Sequence, residues 1–295
     1  MTLHHTVLHD EAISALSIGS HGCYIDATLG AGGHSREIIS RLGKDNTFLG
    51  IDADQTALDA FMKVGFPPTD ANVLLECDNF KHLEDIISRN KLENIQGILA
   101  DLGWRMDQFV EGGKGFSFSS DEPLLMTYGD PSEYPVTAFD LVNEWDEEDI
   151  ANVIYGYGEE VKARQIAKAI VATRKSQPIA TAKTLASVVE SVVPKRGKTH
   201  PATKTFQAIR IAVNDEFSVL ETFITSAFDA LAPGGRLVII TFHSLEDRIV
   251  KHRFRSLAAD GGATLLTKKP VVASAEELKL NPRSRSAKLR SLAKA

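Results

Sequence analysis

The segment Asp26-Ala-Thr-Leu-Gly-Ala-Gly-Gly-His34 sets an acidic residue four positions before a glycine-rich turn, and a strand-like apolar run, Gly22 to Ala27, leads into it. Glycines let the chain turn sharply and bring backbone N–H groups close to a ligand. A dinucleotide fingerprint wants G-x-G-x-x-G, whereas the spacing here is Gly30, Gly32, Gly33, a poor match to a pyrophosphate cradle. A carboxylate beside such a turn can instead hold the α-ammonium of a methionine moiety, directly or through a water, and Asp26 is placed to do so. The chemistry this favours is that of S-adenosylmethionine, with a nicotinamide ranked last. Asp52 ends the next run, Thr47 to Asp52. It lies roughly 20 residues on, where a carboxylate accepts both ribose hydroxyls, a feature the two cofactors share.

A third carboxylate, Asp101, falls at the end of the fourth strand-like run, the edge at which open parallel sheets bind ligands. Methylating an exocyclic amine is difficult because the nitrogen lone pair is delocalised into the ring. An acceptor must take an N–H and hold the lone pair toward the methyl group. Asp101 can do this while Trp104 stacks the base. The spacing resembles the Asp/Asn/Ser-Pro-Pro-aromatic motif of amino-methyltransferases, with Leu102 and Gly103 in place of the prolines. Phe80, three residues after the run Asn72 to Cys77, can flank an adenine, with core packing as the competing reading. His34, at the start of a helix, is expected to bind through its backbone rather than act as a base. Phe206, Arg210 and Asn214 recur at intervals of four along one helix face. From that face Arg210 can meet a phosphate and Asn214 a base edge; a polar network bracing the fold is an equal alternative. His243 to Asp247 resembles a catalytic cluster, but methyl transfer needs no Ser-His-Asp triad, so it reads as loop and helix capping.

The elements that must position these residues alternate. Strand-like runs Cys23 to Thr28, Thr47 to Asp52, Asn72 to Cys77 and Gln96 to Leu102 are separated by helical runs Ser35 to Leu42, Gln55 to Val64 and His82 to Arg89. Such alternation predicts a mostly parallel sheet wrapped by helices. It breaks at Glu111 to Gly115 and the prolines Pro123, Pro131 and Pro135. Val136 to Pro194 then reads as helices, with Asp146 as an N-cap. A single helix, Thr203 to Ala230, and a strand, Gly234 to Phe242, return to the sheet. Thr264 to Thr267 and Lys288 to Leu292 complete its edge as an antiparallel pair. The organisation expected is a sheet domain over residues 1–110 and 201–295 with an inserted loop and helical domain over 111–200.

With 295 residues, 43% hydrophobic and 24% charged, the chain reads as an ordinary globular protein. Cys23 and Cys77 are its only cysteines, too few for a disulfide framework or a cysteine metal site, so a reducing cytoplasm is the expected home. Met1 to His5 lacks the basic and apolar regions of a signal peptide. No apolar run approaches the ~20 residues that span a bilayer, so neither secretion nor a membrane partner is expected. A formal charge of −6 excludes nonspecific coating of nucleic acid. Local charge differs: Lys268, Lys269, Lys279, Arg283, Arg285, Lys288, Arg290 and Lys294 face only Glu276 and Glu277, and a second basic cluster is Lys195-Arg-Gly-Lys198. Either can meet phosphates; a solvated, frayed terminus is the alternative for the first.

Nearly the whole chain resembles the RsmH (MraW) family, methyltransferases that modify cytosine N4 in the 16S RNA of the small ribosomal subunit. The resemblance is carried by His4 to Glu11, Asp26 to Ser35, Gly50-Ile-Asp52, Asp101-Leu-Gly103, Gly115-Phe-Ser-Phe118, Tyr157-Gly-Glu-Glu160, Pro201 to Glu216, Phe242 to Arg248 and Asn281 to Arg290. It implies a class I S-adenosylmethionine-dependent methyltransferase fold, Rossmann-like, with a mostly parallel seven-stranded sheet and an inserted helical domain. By the same resemblance, cofactor contacts fall on Gly32, Gly33, His34, Asp52, Phe80, Asp101 and Gln108. Asp101 is the expected catalytic residue, with Trp104, Arg210 and Asn214 toward the substrate. No metal is expected, because the sulfonium is already activated. The partner implied is 16S RNA in the small subunit; the oligomeric state is left open, a homodimer included. The chain departs from the family pattern at Trp104-Arg-Met106, where Val-Ser-Ser is usual, and around Leu125 and Thr127, where an acid and an arginine are missing. Two rival functions remain: an RNA-binding module with reduced catalysis, and an amino-methyltransferase acting on DNA or another RNA.

Overall fold

The structure, a computed structural model, describes residues 6–102, 113–195, 197 and 199–295. Seven strands, β1 (Gly22–Asp26), β2 (Asn46–Asp52), β3 (Asn72–Cys77), β4 (Ile95–Asp101), β5 (Leu231–Thr241), β6 (Ala263–Leu265) and β7 (Lys288–Lys294), form one sheet in the order β3-β2-β1-β4-β5-β7-β6. Pairings among β1 to β5 are parallel, and β7 runs antiparallel to both β5 and β6. The expected antiparallel edge is present, with β7 lying inside it.

Side chains alternate across the strands, and the two faces bury separate cores. Ile25, Leu49, Ile98 and Ile239 point to one face, where they meet Leu83 and Ile86 of the helix Leu83–Arg89. Leu220, Phe223 and Ile224 of Glu216–Ala230 and Val250 and Phe254 of Ser244–Ala259 complete that core. Tyr24, Phe48, Leu99 and Val238 point to the other face, against Ile13 of His9–Leu16, Ile38 and Ile39 of Gly33–Ser40, and Leu58 and Phe61 of Gln55–Val64. The sheet is thus a middle layer between helices.

The chain divides into two compact units, residues 1–104 with 218–295 and residues 105–217. The second is helical: Ala138–Glu144, Glu147–Gly158, Ala163–Arg174, Ala182–Val192 and Thr203–Asn214 surround their own apolar core. Thr137 and Asp140 form a reciprocal capping box for the first of these, and Thr181 caps the fourth. Asp146 occupies the expected N-cap position, although its side chain makes no capping hydrogen bond.

The seam between the units falls after residue 217 rather than at 200, because the expected helix Thr203 to Ala230 is two helices. Asp215, at φ 47°, turns left-handed between Asn214 and Glu216, a conformation that Asp tolerates better than most residues. Phe206, Ile209 and Val213 are buried in the helical core, whereas Leu220, Phe223 and Ala227 are buried in the sheet core. Gly158 tightens the first packing, since a Cβ there would press on the Lys204 carbonyl. Among the described residues no helix is long and apolar enough to cross a membrane.

Candidate active site

Strand β1 lies between β2 and β4, so the connections diverge at its carboxyl end, the place where open α/β sheets form a ligand crevice. The loop leaving β1 is tied to both neighbours. Ala27 N–H donates to the Leu99 carbonyl of β4 and Leu29 N–H to the Ile51 carbonyl of β2, each at 2.8 Å. Gly30 N–H donates to Asp52 Oδ2 at 2.7 Å, and the Thr28 hydroxyl accepts the Asp101 N–H at 2.6 Å. Asp52, at the end of β2, and Asp101, at the end of β4, are therefore held from the same loop.

Gly32 ends the loop at φ 74° and caps the helix Gly33–Ser40. That left-handed angle is open to glycine, and a Cβ there would collide with the Phe61 ring. Thr6 packs just as closely on Gly33, so both glycines are needed where the loop enters the helix, and a helix start of this kind is where backbone N–H groups can meet a ligand. Phe80 opens the short 3-10 turn Phe80–His82 after β3; it is half-buried, its ring edge-on to Phe223 at 5.0 Å. The carboxyl ends of four adjacent strands thus present, in order, an aromatic ring, a carboxylate, a glycine loop and a second carboxylate. An aromatic for adenine, Asp52 for a ribose diol and a glycine turn at a helix start for a methionine moiety are residue types that could hold an S-adenosyl cofactor.

Three side chains are engaged within the fold. Asp26 is 1% exposed; its Oδ2 accepts from Ser35 Oγ at 2.5 Å and its Oδ1 from Thr28 N–H at 3.2 Å. It braces the loop from beneath and does not present a carboxylate to a ligand, because Ser35, nine residues on, folds back onto it. Burial is the largest influence on its carboxyl, with Ser35 and Thr28 opposing and Asp52 reinforcing, and the result is a rise to about 6. Arg210 and Asn214, expected at the substrate, belong to the helical unit and are engaged within it. Arg210 forms a bidentate pair with Glu216 at 2.7 and 3.1 Å. The Asn214 amide donates to the Met126 and Arg210 carbonyls and accepts the Tyr128 N–H. That clamp holds Met126 at φ 55°. The bracing alternative describes these contacts: two of the three bonds of Asn214 hold the segment in which Leu125 and Thr127 depart from the family pattern, and the third stays within its own helix. Thr127 is buried and its hydroxyl donates to the Gly129 carbonyl.

Trp104, Gln108, Arg105 and Met106 lie outside the described residues, as do Arg196 and Lys198 of the second basic cluster. His243 is the N-cap of the helix Ser244–Ala259 in a capping box with Glu246, as its motif suggested. Within the basic stretch, Arg290 is buried against Asp247 at 2.7 Å, Lys288 joins them at 3.3 Å, and Lys294 Nζ donates to the Asp229 carbonyl. These three fasten β7 into the fold, which removes the frayed-terminus alternative. Lys268, Lys269, Lys279 and Arg285 remain exposed. Thr28, Ser35 and Val7 support the site and escaped sequence reasoning; Thr28 and Ser35 sit inside the glycine motif, where only the glycines and acids drew notice.

A seven-stranded sheet with one reversed strand, carrying this loop and these carboxylates at its switch point, defines a class I S-adenosylmethionine-dependent methyltransferase. Comparison with known proteins narrows the class. The family model for MraW methylases matches residues 1–295, and the chain belongs to that family. It is 45% identical to Ribosomal RNA small subunit methyltransferase H of Symbiobacterium thermophilum, across 100% of this chain and 98% of that protein. Proteins of the same name from Brevibacillus brevis and Afipia carboxidovorans are each 42% identical, across 98% and 97% of this chain and 98% and 89% of theirs.

Proposed function

We propose that this protein transfers the methyl group of S-adenosylmethionine to the N4 amine of a cytidine in 16S ribosomal RNA of the small subunit, in the cytoplasm. The observation that carries this reading is identity of 42–45% over essentially the full length to proteins named for small-subunit ribosomal RNA methylation. The arrangement of Asp101 at the end of β4 gives that identity a chemical rationale.

When bound, the cofactor supplies an activated methyl group. Gly32, Gly33 and His34 meet it with backbone, Asp52 receives the ribose hydroxyls, and Phe80 lines the adenine side. Asp101 accepts one N–H of the exocyclic amine, which turns the nitrogen lone pair toward the methyl group. Thr28 fixes the Asp101 backbone and so limits where that carboxylate can lie. An unpaired or flipped cytidine is required, because N4 of a paired base is inaccessible. The exposed Lys268, Lys269, Lys279 and Arg285 attract the RNA backbone.

The test is transfer of labelled methyl to purified small subunits lacking the modification, with the product nucleoside identified by mass spectrometry. Label in N4-methylcytidine is the expected result. Label on DNA or free nucleosides but not on the particle would remove the ribosomal substrate. An Asp101→Ala protein as fast as wild type would remove the catalytic role.

A further inference from the structure

The residues before the first helix reach the cofactor loop from outside the sheet. The Val7 carbonyl lies 3.1 Å from His34 Nε2, and the next residue, Leu8, donates its N–H to Glu277 Oε1 at 2.9 Å. A carbonyl only accepts, so Nε2 carries the ring hydrogen. In the neutral ring the lone pair then sits on Nδ1, which lies 3.8 Å from Asp101 Oδ2. The ring is neutral at working pH. Burial, reinforced by His9 stacked at 6.0 Å, pushes it down to about 4, against the opposing contact with Val7. The pair is therefore not an ion pair. Two acceptors face each other, at a separation roughly 1 Å longer than a hydrogen bond. They become donor and acceptor when Asp101 gains a proton.

We propose that His34 is the positioning residue that receives protonated Asp101 on Nδ1 once Asp101 has taken the proton released by the methylated amine. The inference rests on the role given to Asp101 above. As the N4 lone pair forms the new N–CH3 bond, the S–CH3 bond breaks and its electrons stay on sulfur. The nitrogen, now cationic, loses one proton to Asp101 Oδ2. The resulting O–H donates to His34 Nδ1, which opposes return of the proton to the product, and water takes the proton after product release. Val7 matters because its carbonyl selects the tautomer that leaves Nδ1 able to accept.

Two variants of the full chain separate this role from a structural one. His34→Gln keeps a donor near the position of Nε2, hence the bond to Val7, and removes Nδ1. His34→Asn keeps an acceptor near Nδ1 and gives up Val7. In single turnovers on small subunits lacking the modification, His34→Gln is expected to keep cofactor Kd and RNA KM while its rate falls about tenfold or more. His34→Asn is expected to recover most of that rate. The reverse order, His34→Gln at wild-type rate and His34→Asn slow, overturns the proposal. Nitrogen NMR of the wild-type histidines needs no His34 variant. The Nε2–H tautomer is expected, with an Nδ1 resonance that moves in Asp101→Ala; an Nδ1–H tautomer overturns the proposal. Wild-type protein inactive on the particle is a distinct result that defeats the ribosomal reading and this proposal with it.

Discussion

Replacing Asp26 with asparagine is expected to stabilise the protein at neutral pH and to weaken it slightly in acid. The Asp26 carboxyl stands at 3.8 in the unfolded chain and at about 6 in the fold, chiefly through burial. The folded protein holds that proton more tightly, so the contribution of the group is fully present below 3.8 and is lost as pH rises through about 6. At about 1.4 kcal/mol for each pH unit between the two values, the loss at pH 7 is about 3 kcal/mol. Asparagine carries no charge, and its carbonyl keeps the bond from Thr28 N–H. Its amide must donate to Ser35 Oγ, which reverses the present donation from serine and costs about 1 kcal/mol. The net expectation is a gain of about 2 kcal/mol near pH 7 and a loss of about 1 kcal/mol near pH 3. Hydrogen exchange at the β1 amides Cys23 to Ile25 reads this in the sheet unit. A difference between variant and wild type that is the same at both pH values would refute the reasoning, since the gain must vanish once Asp26 is protonated.

Gly32→Ala places a Cβ against Phe61 at a φ of 74°. A loss of about 1–3 kcal/mol is expected, with weaker S-adenosylmethionine binding by calorimetry. Asn214→Ala releases the Met126 carbonyl and the Tyr128 N–H. The helical unit should melt about 2–3 kcal/mol less stable, and unchanged stability with weaker RNA binding would reinstate Asn214 as a base reader. Arg290→Met leaves Asp247 buried without its main partner. Urea unfolding should show a loss of about 3 kcal/mol. The Asp247 carboxyl, which burial raises but Arg290 and Lys288 together bring below its ordinary value, should then titrate higher.

The sheet was legible because short apolar runs alternate with helical ones; Asn72–Cys77 and the helix Gln55–Val64 match to the residue. The break at Asp215 was not legible, since no glycine or proline marks it and the apolar spacing runs through. Only the competition between two separate cores forces the turn. At the site, acids and glycines were visible as types, but orientation was not. Whether Asp26 faces a ligand or the loop depends on Ser35 closing over it. The clamp of Asn214 depends on Met126 and Tyr128, 88 and 86 residues away. Such contacts are set by tertiary packing, which spacing along one helix cannot report.

The bond from Leu8 to Glu277 joins positions 269 residues apart. During synthesis the segment that holds Val7 against His34 emerges early and packs its apolar side chains on the sheet, but lacks this one hydrogen bond until the helix Ala275–Leu280 follows. At roughly 5–20 residues per second that interval is on the order of tens of seconds. Strands β1 to β4 and their loop can form meanwhile, so a nascent chain can acquire the glycine turn long before the tautomer of His34 is fixed. Both the strut and β7 arrive after residue 274, so the sheet and the site are completed by the same late stretch of chain. Truncation before residue 277 removes this strut together with β7, so β5 and β6 lose the strand that lies between them.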